Sequence, residues 1–258
     1  MKTLNIVGPN AVDLADRLVP HLDGRVATVE SLPETAARDT DAGAAYGLSN
    51  DGSWIGAGDG QTLSDLLDSL VPDYDVALTV GFDARLPTVT IGDADSVGEV
   101  VATLSDAESD LDSVLDALST LDDRVTLESL VQRAKDSPLA ERSGAIATFT
   151  GRVRVKDSDD DTPTTHLEFE KYEGVAADRM GEIREELEAR DGVFEVLMHH
   201  RTGVIGEGED IVFVVVLAGH REEAFRTVED GINRLKDEVP IFKKESTAEE
   251  EFWIHEQA

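Results

Sequence analysis

The run DYDVALTVGF (73–82) is apolar at successive positions through its middle, not at every second one. Side chains alternate between the two faces of a strand, so Val76, Ala77 and Leu78 cannot all be hidden unless both faces are covered. Strands of this kind belong to parallel sheets with helices packed on either side. The neighbouring sequence fits that frame. TLNIVG (3–8), GRVATVE (24–30) and LPTVTIG (86–92) read as further strands. AVDLADRLVPHL (11–22) has helical spacing through Val12, Ala15, Leu18 and Leu22. Residues 1–95 are therefore expected to form an α/β domain on a parallel sheet.

The first strand enters its helix through GPNAVDLA (8–15), where a P-loop would lie. A P-loop requires Gly, Lys and Ser or Thr at the positions that hold Asp13, Leu14 and Ala15. The phosphate-reaching lysine and the Mg²⁺-binding hydroxyl are missing and a carboxylate is added. The domain is P-loop-like but degenerate, and GPNAVDLA reads as an ordinary strand-to-helix turn.

Residues 96–125 have helical apolar spacing interleaved with acids and read as an acidic helical connector. Residues 126–258 then present a helix (TLESLVQRAK) and four strands: GAIATFTGRVR, THLEFEKY, VFEVLMHHRTG and DIVFVVVLAG. A helix at 175–190 lies between the second and third strands. REEAFRTVEDGINRLKDE (221–238) places Phe225, Val228, Ile232 and Leu235 on one stripe. Pro240 stops that helix, a turn follows, and EFWIHE is a short last strand. This half is α+β.

Asp and Glu total 55 against 23 Lys and Arg, a formal charge of −32. Such a surface repels nucleic-acid phosphates and anionic lipid, so neither is an expected partner. Acidic runs such as DSDDD (157–161) read as solvated faces, and the composition suits a salt-rich cytosol. Without cysteine there is no disulfide or thiolate chemistry. No apolar run approaches a membrane span, and MKTLNIVGPN is no signal peptide. The expectation is a soluble, cytoplasmic protein.

Against that charge the chain has seven lysines, and three of them, Lys236, Lys243 and Lys244, fall within RLKDEVPIFKKES (234–246). Other cations also stand at element ends: Arg152 and Arg154 in GRVR, His199, His200 and Arg201 in HHR, and His220 and Arg221 in GHRE. The plain reading is that Lys236 complements a helix dipole and that the arginines pair with surface carboxylates. The functional reading is a positive pocket for an anion. The pattern alone leaves the two open.

FTGRVR (149–154), LEFEKYEGVA (167–176), HHRTG (199–203), GEDIVFVVV followed by GHRE (208–222) and LKDEVPIFKKE (235–245) together resemble the large, catalytic subunit of molybdopterin synthase, in order, over essentially all of 126–258. The resemblance implies an α/β hammerhead fold and a homodimer formed through this domain. It implies a small ubiquitin-like sulfur carrier as partner, whose C-terminal Gly-Gly tail enters the site as a thiocarboxylate; two sulfurs, one per carrier, pass to cyclic pyranopterin monophosphate. The implied catalytic residues are Lys236 and Lys243. Arg152, Arg154, His220, Arg221, Lys244 and Glu245 are the implied substrate-binding residues, with no metal and no cofactor. One departure is that EFWIHEQA lacks the basic residue many members carry beyond the terminal Trp.

The first segment resembles, more faintly, the accessory GTP-binding protein of molybdopterin guanine dinucleotide synthesis. The likeness rests on IVGPN…LADRLVPHL, VATVESLP and YDVALTVGF…LPTV. It has Val80 where that family has an acidic residue, and the lost P-loop argues against GTP hydrolysis. Two other functions stay open at this point: a non-catalytic scaffold for a ubiquitin-like protein, and a nucleotide-dependent accessory protein of cofactor maturation.

Overall fold

The computed structural model describes residues 1–32, 43–109, 111–156, 158, 162–172 and 174–247, with the backbone alone of 251–254. Most of the acidic run 157–161 and the last four residues lie outside the described residues. The chain divides into two compact units, Met1–Thr126 and Leu127–Ala258.

The first unit is built on a five-stranded parallel sheet. Its strands are β1 (Lys2–Val7), β2 (Val26–Glu30), β5 (Val76–Val80), β6 (Thr88–Ile91) and β7 (Val100–Leu104), in the order β2-β5-β1-β6-β7. Every residue of β5 is buried, Thr79 included, as its near-continuous apolar run demands. Helix α1 (Ala11–Leu18) buries Ala11, Leu14, Ala15 and Leu18 against this sheet. Val12, expected on that stripe, faces outward, because the sheet takes the neighbouring set at the same helical spacing.

Residues 96–125 are not a helical connector. Five of them form the edge strand β7, and Asp112–Thr120 form α3, which buries Val114 and Leu118 in the core of the first unit. VVATL is a short apolar run that periodicity cannot assign to helix or strand. Lys2 Nζ holds the end of α3 by donating to the carbonyls of Ser119 (3.0 Å) and Leu121 (2.6 Å). Arg124 Nε reaches Asp68 at 2.7 Å, on helix α2 (Leu63–Leu70). Two strands absent from the sequence reading, β3 (Ala44–Leu48) and β4 (Trp54–Gly58), form a separate two-stranded hairpin.

In the second unit the expected elements form around two antiparallel sheets. Helix α4 (Leu127–Lys135) precedes β8 (Ala145–Arg152), β9 (Thr164–Lys171), α5 (Val175–Glu188), β10 (Val193–His200) and β11 (Gly203–Gly206). Then come β12 (Asp210–Ala218), α6 (Arg221–Glu238), β13 (Ile241–Thr247) and β14 (Glu251–Ile254). One sheet has the order β10-β12-β8, the other β11-β9-β13-β14.

Helix α6 packs back along β12 so closely that a Cβ on Gly231 would sit 3.1 Å from Val214 Cγ1. Its buried stripe is Ala224, Thr227, Val228, Gly231, Ile232 and Leu235. Phe225 is not on it: its side chain is 66% exposed, because the stripe starts one residue earlier. The stretch after Pro240 is likewise no turn. Residues 241–247 are strand β13, paired on both sides by β9 and β14. Among the described residues no helix is long and apolar enough to cross a membrane.

Candidate active site

The end of α6 is fixed before any site can be built on it. Arg234 Nε donates to Glu238 at 2.7 Å and its terminal nitrogen reaches Glu186 of α5 at 2.7 Å. Arg179 of α5 also donates to Glu238. These cations, Arg234 first, hold the Glu238 carboxyl below the usual carboxylate range. The network ties α5 to α6 where α6 ends. Exposed Lys236 stands in that last turn, three residues before Val239 of the Val239–Pro240 link into β13.

On β13 the pleat separates the adjacent lysines. Lys243 lies opposite Phe169, and Lys244 lies opposite Glu168. Directly opposed residues share a face, so Lys243 and Glu245 point with Leu167 and Phe169, both buried core residues. Lys244 points the other way, where its Nζ meets Glu168 at 3.7 Å. Lys243 Nζ stands 3.9 Å from Glu245 Oε2, and Thr164 Oγ1 donates to the other oxygen of Glu245. That leaves a part-buried lysine with one carboxylate beside it.

Two further residues join that face. Lys171 pairs with Ile241 and is therefore the diagonal neighbour of Lys243, at about 7–8 Å between backbones. His200, at the end of β10, packs edge-on against Phe169 with ring centres 4.9 Å apart. Its Nδ1–H donates to the Arg201 carbonyl at 2.7 Å. Burial, opposed by that hydrogen bond and joined by the Lys171 charge, brings the imidazole down to about 4. His200 is thus a neutral side chain near neutral pH. The alternation of LEFEKY holds the signal for Lys171. His200 could not be chosen over His199 until the sheet showed which one faces inward.

The remaining cations split between the two ends of the second unit. Arg152 closes β8 and pairs with Asp210 at 3.3 Å, and it also donates to the Gly208 carbonyl. Arg201 donates to the Asp210 carbonyl at 2.8 Å. Both therefore brace the start of β12. Arg154, exposed, follows the buried Val153 just beyond β8. His220 and Arg221, also exposed, begin α6. Fifteen residues separate Arg221 from Lys236, so at 1.5 Å per residue they stand about 22 Å apart along one helix. The expected single pocket is not assembled within one copy: Lys236 and Lys243 flank the α6–β13 link, while His220 and Arg221 lie at the far end. Among the described residues no group of three or more His, Cys, Asp and Glu is placed to hold a metal ion.

Residues 121–238 match the MoaE protein family. A protein of Haloferax volcanii named probable molybdopterin synthase is 60% identical over 100% of both chains. The chain belongs to the molybdopterin synthase catalytic-subunit family. The molybdopterin synthase catalytic subunit of Pyrococcus abyssi is 35% identical over 49% of this chain and 89% of its own. That of Bacillus subtilis is 33% identical over 52% and 81%. Both shorter relatives cover about half of this chain, whereas the Haloferax protein matches both units. A crystal structure of molybdopterin synthase from Staphylococcus aureus is 32% identical over 45% of this chain and 82% of its own, with a TM-score of 0.42. As a member of this family the chain is a sulfur-transferring enzyme of molybdenum cofactor biosynthesis.

Within that membership the geometry has a definite chemical meaning. Fixed cations stabilise anions best where water is partly excluded. The inner face of β9 and β13 supplies two lysines and one carboxylate, and His200 of β10 brings a neutral imidazole against Phe169.

Proposed function

We propose that this chain takes sulfur from the C-terminal thiocarboxylate of a small ubiquitin-like carrier and delivers it to cyclic pyranopterin monophosphate, giving the dithiolene of molybdopterin. The observation that carries this reading is the placement of scarce lysines. Three of the seven in a chain of net charge −32 flank one helix-to-strand link, and the core-facing one is part-buried beside a carboxylate.

In this reading Lys236 polarises the carrier's terminal carbonyl, or bonds to its carbon as an amine nucleophile while the C–S bond breaks and sulfur passes to the pterin, water then freeing the amine and leaving the carrier a carboxylate. Lys243 holds the pterin and moves protons as sulfur replaces oxygen, with Glu245 fixing its ammonium. Arg154 grips the phosphate with its planar fork. Arg152 acts through the Gly208 carbonyl and Asp210 that it braces. Lys244, paired with Glu168 on the opposite face, is dispensable.

The distance of about 22 Å between Arg221 and Lys236 supports a homodimer in which His220 and Arg221 of one copy serve the lysines of the other. We read the first unit as a degenerate relative of the accessory GTP-binding protein. It retains a parallel sheet and a strand-to-helix turn, but Asp13 stands in the first turn of α1 where phosphate would need cations. The cytoplasm is the compartment we assign.

Dithiolene formation from purified protein, thiocarboxylated carrier and pyranopterin precursor, at high salt, tests the reading. Turnover is expected. Carrier binding without turnover would favour a scaffold, and turnover that requires GTP would favour the accessory role. Mixing Lys236→Ala with Arg221→Ala tests the composite site. Random exchange leaves one intact site in half of the dimers, so activity should recover to about a quarter of wild type. Activity no higher than that of the separate variants would mean that each copy is self-sufficient.

A further inference from the structure

The β3–β4 hairpin of the first unit is unlike the rest of the molecule. Residues 43–58, GAAYGLSNDGSWIGAG, hold one charged side chain, Asp51 at the turn, in a chain where 78 of 258 residues are charged. Ser49, Ser53 and Asp51 bind one another there, closing the turn on itself. Among the described residues the two strands pair only with each other.

A two-stranded hairpin alone is marginal in water. Edge strands normally carry charges, prolines or bulges that discourage pairing, and β3 and β4 carry none of these.

Three of the four large apolar side chains share one face, while Ile55, opposite Gly47, is on the other. Leu48 lies opposite Trp54, and Tyr46 lies opposite Gly56. Tyr46, Leu48 and Trp54 therefore point the same way, and they are 78%, 78% and 62% exposed. Gly56 makes room for both rings: a Cβ there would sit 3.1 Å from the Tyr46 ring and 3.3 Å from that of Trp54. Contiguous apolar surface of this kind marks an interaction site.

We propose that this face meets the same face of a second copy of the chain across a two-fold axis. The three side chains present on the order of 450 Å² per copy. With the rest of the hairpin, two copies would bury about 1,000–1,200 Å², at the lower end of specific interfaces. The charge distribution selects the occupant. Two copies at −32 repel each other nearly everywhere, and the hairpin is where they meet with least charge between them. A cationic partner would be drawn to the acidic surface instead. The contact is independent of any dimer formed by the second unit.

A chain without cysteine allows a direct test. Tyr46→Cys and Leu48→Cys should form disulfide-linked dimers of the full-length protein on mild oxidation. Val97→Cys, at another exposed position of the first unit, is the control. Linking at either face position is expected to be at least about tenfold faster than the control, since a disulfide needs Cα atoms within about 7 Å. It should quicken as salt screens the repulsion, and it should disappear when Trp54→Ser is added. Sedimentation of the Tyr46→Ser/Leu48→Ser/Trp54→Ser variant supplies a second reading, with a smaller species or weaker self-association expected. Linking no faster than the control, together with unchanged sedimentation, would overturn the proposal. So would loss of carrier binding in the serine variant with self-association intact, because the face would then belong to another protein.

Discussion

Two junctions between helix and strand invite comparison. At the first, β1 passes through Gly8, Pro9 and Asn10 into α1, the kind of place where many parallel-sheet proteins hold phosphate. At the second, α6 passes through Val239 and Pro240 into β13. The first turns from strand to helix without a cation: Asp13 occupies the first turn, and Asn10 takes a left-handed conformation without capping the helix through its side chain. The second has no glycine loop, yet Lys236, Lys243 and Lys244 all stand within six residues of Pro240. Backbone shape and anion chemistry are separable. In the function proposed for this chain the chemistry follows the fixed cations, not the loop.

The largest expected effect would break the comparison at the second junction. Lys236→Ala should lower the rate of dithiolene formation by about 10²–10³-fold, the usual cost of removing one preorganised charge or donor from a site. Its thermal unfolding should match wild type, because Lys236 is exposed in the last turn of α6. A Lys236→Ala variant with near-normal turnover would return that lysine to the role of a helix-dipole partner.

Acid should distinguish the two junctions next. His200 is buried with its imidazole pushed down to about 4, against an ordinary 6.5. Between those values the unfolded chain binds the proton that the native state refuses, so stability is full above about pH 6.5 and falls as pH drops towards 4. The loss is about 3 kcal/mol, and it belongs to the second unit. Denaturant titrations at pH 7 and pH 4.5 should show it, and His200→Phe should flatten the slope. An equally steep slope in His200→Phe would mean that carboxylates alone are responsible.

A smaller effect sharpens the comparison at the first junction. Gly8 has φ of +120°, and a Cβ there would lie 2.5 Å from the Ile91 carbonyl oxygen. Gly8→Ala should destabilise the first unit by about 2–3 kcal/mol while leaving sulfur transfer intact. Lost turnover in a variant whose second unit remains folded would give the first junction a functional part.

The sequence carried some of this plainly and hid the rest for physical reasons. Near-continuous apolar runs such as 76–80 announce strands covered on both sides, and α6 begins and ends where its pattern and Pro240 say it should. β13 was hidden because IFKKEST combines a preceding proline with three consecutive charges, although the pleat sends those charges to different faces. The β3–β4 hairpin has neither period, being rich in glycine and alanine. Lys171 and His200 become neighbours of Lys243 only through strand register. The separation of His220 and Arg221 from the lysines is a distance along a helix, which a list of cations at element ends does not contain.

Single-turnover dithiolene formation by Lys243→Ala and Lys243→Arg, beside wild type and with carrier binding measured in each, tests the central claim most directly. Lys243 is expected to serve as a proton-moving amine and not merely as a positive charge. Both variants should therefore bind carrier normally and form product at least about a hundredfold more slowly. Wild-type rates in Lys243→Ala would contradict the account and remove the α6–β13 junction from the chemistry.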